Sequence, residues 1–478
     1  MPCYDADGMD ASIPQIPNGS PDCPRCVELE RLIAQLQKQI DELKARLERA
    51  EAGSRAAKRQ AAPFSKGPPK ADPKTPGRKS GEAHGPHFHR GIPPWINETH
   101  DVPLPNCCSN PNCPGRVREI QIVQQYHADM PREPIYRQFN IHQGECELCH
   151  QPVQGRHPLQ TSDATGAAAS QIGPLAQAVI VHLNKEAGMS YGKIVRFFSA
   201  AYGLELSRAA ACRIVLRAAD RCEPAYEQII SDVQQSSAIT PDETGWRVAG
   251  LLAWLHVAVG DDATAYLIHR KRGYEAAVEL IGEDYEGFLT HDGWSPYEQF
   301  IYAVHQACLG HLLRRSKEME ESAKGNAALF PRKVKEILKD ALAVRDRRDA
   351  GQITPAESVE QAKLLSRRIL DLVIPPQANA DNERLAKHLW KLQESLFTFL
   401  EFEGVDATNY KGEQAIRPAA VNRKVWGGNR TEVGAKAQSI LMSVLRTAVQ
   451  RGIDGINFII STLTSLPCNR PMLVPDTG

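Results

Sequence analysis

Three acidic residues lie in segments of the sequence where a carboxylate could bind a metal ion or take part in catalysis. Asp242 lies inside the apolar, β-prone run ITPDETGWRV, and Asp292 directly follows a second β-prone run, GFLTH. Burying a carboxylate in a strand costs free energy unless a metal ion or an Arg faces it. Glu413, in a later helical segment, is the candidate for a third carboxylate, on a helix packed against those strands.

Converging carboxylates suit in-line displacement at a phosphodiester. Two Mg²⁺ ions about 3.5–4 Å apart activate the attacking oxygen and stabilise the leaving oxygen, and Mg²⁺ prefers hard oxygen ligands of this kind. The simpler alternative is that each carboxylate caps a turn or pairs with Arg. Arg417 lies four residues after Glu413 on the same helix face, where it either contacts a phosphate or pairs with Glu413.

The elements around these residues predict a protein of the α+β class. Three β-prone runs form a predicted antiparallel meander: residues 239–248, 251–259 and 265–268. A predicted helix at 274–280 precedes the strand before Asp292. Three strands, a helix and a fourth strand are the opening order of a ribonuclease H-like fold. Side chains alternate along a strand, so Glu243 should face away from Asp242 and be structural.

The N-terminal part of the chain divides into segments of different composition. Residues 1–22 lack periodicity and are predicted to be disordered. Residues 23–50 contain a heptad seam that predicts a coiled-coil dimerisation helix, the alternative being a helix docked on its own protein. Residues 51–104 form a basic linker rich in Pro and Gly, which is a spacer, an arm that tracks DNA phosphates, or both. The seam comprises Cys26, Leu29, Ile33, Leu36, Ile40, Leu43 and Leu47.

Cysteine spacing predicts a zinc-binding domain at residues 105–160. Two close pairs would supply four thiolates: Cys108 with Cys113, and Cys146 with Cys149. The first pair is irregular, and Cys107 could replace Cys108 in it. Two such pairs around the β-prone segment 118–141 are typical of a zinc ribbon, in which four thiolates leave no open position for chemistry. Buried free thiols are the alternative, and a second CxxC pair, Cys23 and Cys26, has no assigned role.

Residues 165–235 predict helices. Two of them resemble a helix-turn-helix pair joined through Gly203, with Ser207 as the N-cap of the second helix. As a DNA reader the second helix would expose Arg208 and Arg213; a helical packing unit is the alternative. The rest of the chain is divided into a first part of the core, a helical insertion, a completion of the core that carries Glu413, and a tail: residues 236–315, 316–405, 406–460 and 461–478.

Several strings around these residues resemble transposases of the insertion-sequence-sixty-six family, a bacterial DDE family. They are TPDETGWRV, FLTHDGWSPY, CLGHLLRR, TNYKGEQAIRP and RKVWGGNRTEVGAKAQSILMSV. The resemblance covers about residues 107–458 and identifies Asp242, Asp292 and Glu413 as the catalytic triad. It implies a ribonuclease H-like core with a helical insertion, two catalytic Mg²⁺ ions and a structural Zn²⁺.

The resemblance also implies how the protein acts and with what. It implies binding of the element's terminal inverted repeats, strand cleavage by water, strand transfer by the freed 3′-hydroxyl, and small accessory proteins as partners. His311 and Arg314 would lie near the scissile phosphate. Basic residues around a Gly-Gly loop would contact the DNA backbone: Arg423, Lys424 and Arg430. The chain departs from the family pattern at Tyr410, where the family has Asn, and at Gly412, where it has Ala.

Composition sets limits on other functions. The chain has 57 basic and 57 acidic side chains, so its net charge gives no indication of nucleic-acid binding. No apolar run approaches the length of a membrane span, and the N-terminus lacks an export signal. These limits lead us to expect a cytoplasmic protein. The resemblance implies that it associates with the nucleoid and binds double-stranded DNA, and the heptad seam predicts a homodimer. Two alternatives are a catalytically silent transposase-derived DNA-binding protein and a ribonuclease H-like nuclease without strand transfer.

Overall fold

The computed structural model describes residues 33–34, 36–37, 39–41, 92–104, 117–126, 128, 130–166, 171–466 and 471–473. The chain divides into two compact units, Met1–Ala128 and Asp129–Gly478. In the first unit, the described residues between 33 and 41 are helical. Three apolar side chains of the predicted heptad seam are each about half exposed there: Ile33, Leu36 and Ile40. Cys23, Cys26, Cys107, Cys108 and Cys113 lie outside the described residues.

The second unit opens with a small hairpin around the later cysteine pair. Strand β1 (Gln143–Glu145) pairs antiparallel with β2 (Pro152–Gln154). The segment 118–141, which the sequence predicts as the hairpin of a zinc ribbon, contains no strand at its described residues. Its apolar side chains are unburied, with Ile120 and Ile122 88% and 83% exposed. The residues of this segment favour strands, but a strand is stabilised by packing against neighbouring side chains. The exposed side chains of this segment have no such packing.

Three helices follow as the sequence predicts. They are α1 (Pro174–Lys185), α2 (Tyr191–Tyr202) and α3 (Arg208–Gln234). Helix α2 ends at Gly203, whose left-handed φ of 64° suits a residue without Cβ. The predicted N-cap of α3 is confirmed, because the Ser207 hydroxyl accepts the Ala210 amide at 3.0 Å. These helices contribute to the same hydrophobic core as one face of the sheet that follows.

The sheet has five strands in the order β5-β4-β3-β6-β7. Strands β3, β4 and β5 are antiparallel, whereas β6 and β7 run parallel to β3. Helix α4 (Tyr274–Ile281) connects β5 to β6. The strand bounds are Ala238–Val248, Leu251–Val259, Thr264–His269, Phe288–His291 and Val304–Ala307. The predicted meander, helix and fourth strand are therefore confirmed. Strand β7 was not predicted.

A helical insertion follows β7 and has its own hydrophobic core. It comprises α5 (Leu309–Ser322), α6 (Leu329–Asp349), α7 (Pro355–Val373), α8 (Ala380–Lys391) and α9 (Thr398–Glu401). The chain then returns to the sheet with α10 (Tyr410–Trp426), α11 (Glu432–Gln450) and α12 (Gly455–Thr464). None of the described helices combines the length and apolarity that a membrane crossing requires.

Helices α10 and α11 cover the sheet face that carries Asp242. Trp246, Leu255 and Val257 of that face share a core with Ala415 and Ala419 of α10. Helix α11 also covers the edge strand β5. Its hydroxyls accept alternate β5 amides at 2.8–3.0 Å: Ser439 from Ile268, Ser443 from Tyr266, and Thr447 from Thr264. These bonds satisfy an edge that would otherwise present unpaired backbone groups.

Candidate active site

Asp242 occupies the middle of β3, opposite Val257 of β4, and is partly buried. Its Oδ1 accepts the backbone N–H of Glu243 at 2.9 Å. Burial raises the pKa of Asp242 to about 7, and the negative charges of Glu243, Asp292 and Glu413 add to the effect. Asp292 and Glu413 therefore each lie within electrostatic reach of Asp242, although the three carboxylates come from different elements.

Asp292 follows β6 directly and is exposed. Its Oδ1 accepts the backbone N–H of Trp294 at 2.9 Å, which closes a tight turn after the strand. Strand β6 runs parallel to β3 beside it, so the end of β6 and the middle of β3 are neighbours. The sheet order thus explains why two carboxylates fifty residues apart in sequence interact.

One buried histidine, His291, and one partly buried histidine, His305, support the Asp292 turn, and the sequence did not predict them. The His291 Nδ1 accepts the Gly293 N–H at 3.1 Å, so its Nε2 carries the proton and donates to His305 Nδ1 at 3.0 Å. His305 Nε2 then donates to the Phe300 carbonyl at 3.0 Å. Burial first, and then His305, lower the pKa of His291 to about 3. Both rings are neutral in this chain of hydrogen bonds, which fixes the backbone on either side of Asp292.

Glu413 lies in the first turn of α10, and its position depends on Gly412. A Cβ at residue 412 would lie 3.1 Å from Asp242 Cβ and 3.2 Å from the Pro241 carbonyl oxygen. The missing side chain therefore lets the start of α10 approach β3 closely, which brings Glu413 to the strand that carries Asp242. Gly412 occupies the helix start, where the low helix propensity of Gly matters less than in the interior.

The CLGHLLRR string lies against the same helix. The His311 Nε2 is 3.5 Å and the Arg314 Nη2 is 3.9 Å from Glu413 Oε1. The pKa of His311 is raised, first by the side chain of Cys308 and then by the charges of Asp292 and Glu413, against the effect of burial. The structure therefore brings both predicted DNA-contacting residues to the third carboxylate.

Cys308 anchors the start of α10. Cys308 precedes α5 as its N-cap. The buried thiol donates to Asn409 Oδ1 at 3.1 Å and accepts the Asn409 backbone N–H at 3.3 Å. Asn409 is itself the N-cap of α10. Cys308 thus contacts the start of α10, and His311, three residues later, contacts the Glu413 carboxylate on the same helix.

The donor set fits Mg²⁺ in its chemistry. Three carboxylates offer hard oxygen ligands, and a cation would offset the burial and like-charge repulsion that raise the pKa of Asp242. Within the described parts of the chain, no three His, Cys, Asp or Glu side chains are arranged closely enough to hold an ion. The Glu413 carboxylate points towards His311 and Arg314, with which it forms ion pairs.

Glu243 faces the other side of the sheet, which confirms the prediction from strand alternation. Its carboxylate accepts Arg272 Nη2 at 2.7 Å and the Tyr297 hydroxyl at 2.8 Å. The Arg272 guanidinium lies between two indoles, 4.7 Å from the ring centres of both Trp254 and Trp294. Trp294 and Tyr297 belong to the turn after Asp292, so this cluster, called the Arg272 cluster below, joins that turn to β3 and β4. No sequence pattern identified Arg272 in advance.

Replacing Arg272 by Gln is expected to lower the free energy of unfolding. The Glu243 side chain is only 3% exposed and would lose its charged partner. Breaking a buried pair costs about 3–5 kcal/mol; the Arg272 side chain is 44% exposed, which reduces the expected loss to about 2 kcal/mol. Urea unfolding gives the measurement. Lys271→Gln is the matched control, because its pair with Glu275 is exposed on both sides. Equal losses for the two variants would contradict a structural role for the Arg272 cluster.

The remaining predicted DNA-binding residues are spread over α10, the loop after it and α3. Arg423 is partly buried and donates to Thr244 Oγ1 of β3 at 3.3 Å. Five others are exposed, on α10, in the loop after it and on α3: Arg417, Lys424, Arg430, Arg208 and Arg213. No salt bridge joins Arg417 to Glu413 in the described chain; Glu413 pairs with His311 and Arg314 instead.

The Gly-Gly loop after α10 docks on the β3–β4 hairpin. The Asn429 N–H donates to the Arg247 carbonyl at 2.9 Å, and the Asn429 carbonyl accepts the Ala249 N–H at 2.9 Å. The Trp246 Nε1 donates to Asn429 Oδ1 at 2.7 Å. Gly428 has a φ of 111° and passes directly over the Arg247 carbonyl. The loop therefore attaches the C-terminal end of α10 to β3, the strand that carries Asp242.

The later cysteine pair lies in the turn between β1 and β2. The Cys146 N–H donates to the Gln151 carbonyl at 3.0 Å, and the His150 N–H donates to the Cys146 carbonyl at 2.8 Å. His150 takes a left-handed φ of 56°. Backbone N–H groups of Cys149 and then Leu148 lower the pKa of the Cys146 thiol. The Cys149 side chain is exposed and the Cys146 side chain is partly exposed.

The comparison with protein families agrees with this geometry. The family model described as Transposase IS66 family matches residues 169–437, more than half of the chain. No curated protein matches the chain. The matched range includes Asp242, Asp292, Glu413, His311 and Arg314. The chain belongs to the IS66 family of transposases.

Proposed function

We propose that the protein cleaves DNA at the terminal inverted repeats of its insertion sequence and transfers the freed strands to a target. One observation carries the proposal: Asp292 follows the strand that pairs with β3, and Glu413 lies on the helix whose start meets β3 at Asp242, so both carboxylates act on that of Asp242. The strand order β5-β4-β3-β6-β7, with three antiparallel strands and two parallel ones, supports a ribonuclease H-like core. Family membership supports transposition as the process.

Asp242, Asp292 and Glu413 would hold Mg²⁺. When bound, the two ions activate the attacking oxygen and stabilise the leaving oxygen. His311 and Arg314 contact Glu413 and would place positive charge beside the phosphate. Because the pKa of Asp242 is about 7, its carboxylate must lose a proton to act as a ligand, so metal affinity should rise between about pH 6 and pH 8.

We also propose a structural zinc ion. Cys146 and Cys149 lie in one tight turn between paired strands, which is the setting of a thiolate pair in zinc ribbons. Cys113 and either Cys108 or Cys107 would complete the four ligands. Elemental analysis of the purified chain should find about one zinc per chain, and Cys149→Ser should lower that content. Unchanged zinc in the variant would exclude Cys149 as a ligand.

Self-association through residues 23–50 is the proposed route to a homodimer. Ile33, Leu36 and Ile40 are helical and half exposed, as expected for a seam that a second copy would cover. Deletion of residues 26–47 should halve the mass measured by light scattering, whereas deletion of residues 1–22 should not. An unchanged mass after the first deletion would refute this route. Two other kinds of partner are proposed. One is duplex DNA, both at the ends of the element and at the target site in the nucleoid; the other is small accessory proteins.

The direct experiment uses DNA that carries the inverted repeats flanking the coding sequence. The wild-type chain should nick this DNA in Mg²⁺ and not in EDTA, and should then join the 3′ ends to a target. End binding without nicking would support the alternative of a silent DNA-binding protein. Nicking without joined product would support the alternative of a nuclease.

A further inference from the structure

A groove separates α5 from α6 at the beginning of the helical insertion. Its volume is about 790 Å³. Five of its lining side chains are cationic and two are carboxylates, although the whole chain carries equal numbers of basic and acidic residues. The cationic side chains are Arg314, Lys317, Arg332, Lys335 and Lys339. The groove is thus a local concentration of positive charge.

The spacing of these residues makes the charge continuous. Arg332, Lys335 and Lys339 recur at three and four residues on α6, and Arg314 and Lys317 are three apart on α5. Residues at these spacings lie on one helix face. At 1.5 Å per residue, the stripe from Arg332 to Lys339 is roughly 10 Å long. A DNA strand advances about 3.4 Å per nucleotide, so the stripe matches about three phosphates.

The two carboxylates leave part of this charge uncompensated. Glu320 accepts hydrogen bonds from both Arg332, at 2.9 Å, and Lys335, and so holds these two cations in place. Glu321 lies 3.7 Å from Lys317, an exposed pair of little strength. Lys339 has no salt bridge to any residue that the structure describes, and it is exposed in the groove. A polyanion can therefore be bound without breaking the Glu320 contacts.

The groove begins at the candidate active site. Arg314 lines the groove and also lies 3.9 Å from Glu413 Oε1. We propose that the α5–α6 groove binds the sugar-phosphate backbone of the DNA strand that adjoins the scissile phosphate, over about three nucleotides. This inference rests on the proposed function. It assigns to the helical insertion a DNA contact that is independent of base sequence, because cationic side chains neutralise phosphates whichever bases the strand carries.

Charge reversal at Lys339 tests the proposal with a control on the same helix. Lys333 is also an exposed lysine of α6 but does not line the groove. The full chain is titrated against a fluorescein-labelled duplex of about 30 base pairs and arbitrary sequence, at several salt concentrations. Lys339→Glu should weaken binding roughly 5-fold and make the slope of log affinity against log salt shallower by about 0.9. Lys339→Gln should weaken binding less, and Lys333→Glu should change it less than about 2-fold.

Each outcome bears on the proposal. Equal effects of Lys339→Glu and Lys333→Glu would overturn the groove as a DNA site, and so would an unchanged salt slope in Lys339→Glu. Cleavage of element ends by the wild-type chain is measured in parallel. Wild-type cleavage with no special effect at Lys339 would refute the groove and leave the proposed function standing. A Lys339 effect without wild-type cleavage would support the groove and refute the catalytic proposal.

Discussion

Replacement of Asp242 by Asn is expected to abolish Mg²⁺-dependent cleavage of element ends, by roughly 10³-fold or more, while leaving end binding intact. The amide keeps the size of the carboxylate but cannot supply its charge to a cation. Asp242 interacts electrostatically with both of the other carboxylates, since Asp292 and Glu413 each contribute to its raised pKa. A gel assay of nicked product in Mg²⁺ gives the measurement, and cleavage retained at the wild-type rate would contradict the role of Asp242.

The same variant should be more stable than the wild-type chain at pH 8. The pKa of Asp242 rises from 3.8 in the unfolded chain to about 7 in the folded one. The folded state therefore binds the extra proton, and stability is lost as the pH rises from about 4 to 7 and the carboxylate ionises. Asn carries no charge, so it avoids this loss, which amounts to at most about 4 kcal/mol. The gain should shrink towards pH 4.

Urea unfolding at pH 5 and pH 8 measures this difference. Asp371→Asn is the control, because Asp371 is exposed at the end of the helical insertion's α7 and should show little change at either pH. A lower stability of Asp242→Asn than of the wild-type chain at pH 8 would contradict the claim that burial and neighbouring negative charges disfavour the ionised Asp242 carboxylate.

Replacement of Gly428 by Ala is expected to lower the free energy of unfolding by about 3 kcal/mol or more. A Cβ at residue 428 would lie 2.3 Å from the Arg247 carbonyl oxygen, and the φ of 111° is unfavourable for any residue with a Cβ. The loop cannot retreat, because Asn429 is hydrogen-bonded to the same Arg247 carbonyl and to Ala249. The clash must therefore be relieved by breaking these bonds or displacing β3.

Gly427→Ala provides the comparison at the neighbouring position. Gly427 also has a positive φ, of 80°, but nothing lies within 4 Å of its Cβ position. Its replacement should cost only about 1 kcal/mol, the usual penalty for Ala in a left-handed conformation. Urea midpoints of the two variants separate the contact from the backbone preference. Equal destabilisation would show that the loop does not press on β3.

Local patterns predicted the strands that carry the site because each has its own signal. Strands β3 and β4 are long apolar runs, and the turn at Ala249-Gly250, where both residues have positive φ, lies where the sequence predicts it. Strand β7, Val304–Ala307, contains His305 and Gln306 and so forms no apolar run that would indicate a strand. Without β7, the final order of the sheet could not be derived from the sequence.

Contacts between distant segments had no signal in the sequence. Arg272 contacts Glu243 across 29 positions, and Cys308 contacts Asn409 across 101. The residue types indicated only that each could form a hydrogen bond or an ion pair. The role of Gly412 could not be inferred for the same reason: its meaning depends on the distance between α10 and β3, which only the folded chain defines.

The most direct test of a single site formed by three carboxylates is a strand-transfer assay on element-end DNA with a plasmid target. The wild-type chain should give joined product in Mg²⁺. Asp242→Asn, Asp292→Asn and Glu413→Gln should each bind the ends and give none, and the double variants should be no worse than the single ones because the residues act as a unit. Joined product at the wild-type level from any one of the three single variants would contradict the assignment of that carboxylate and of the site.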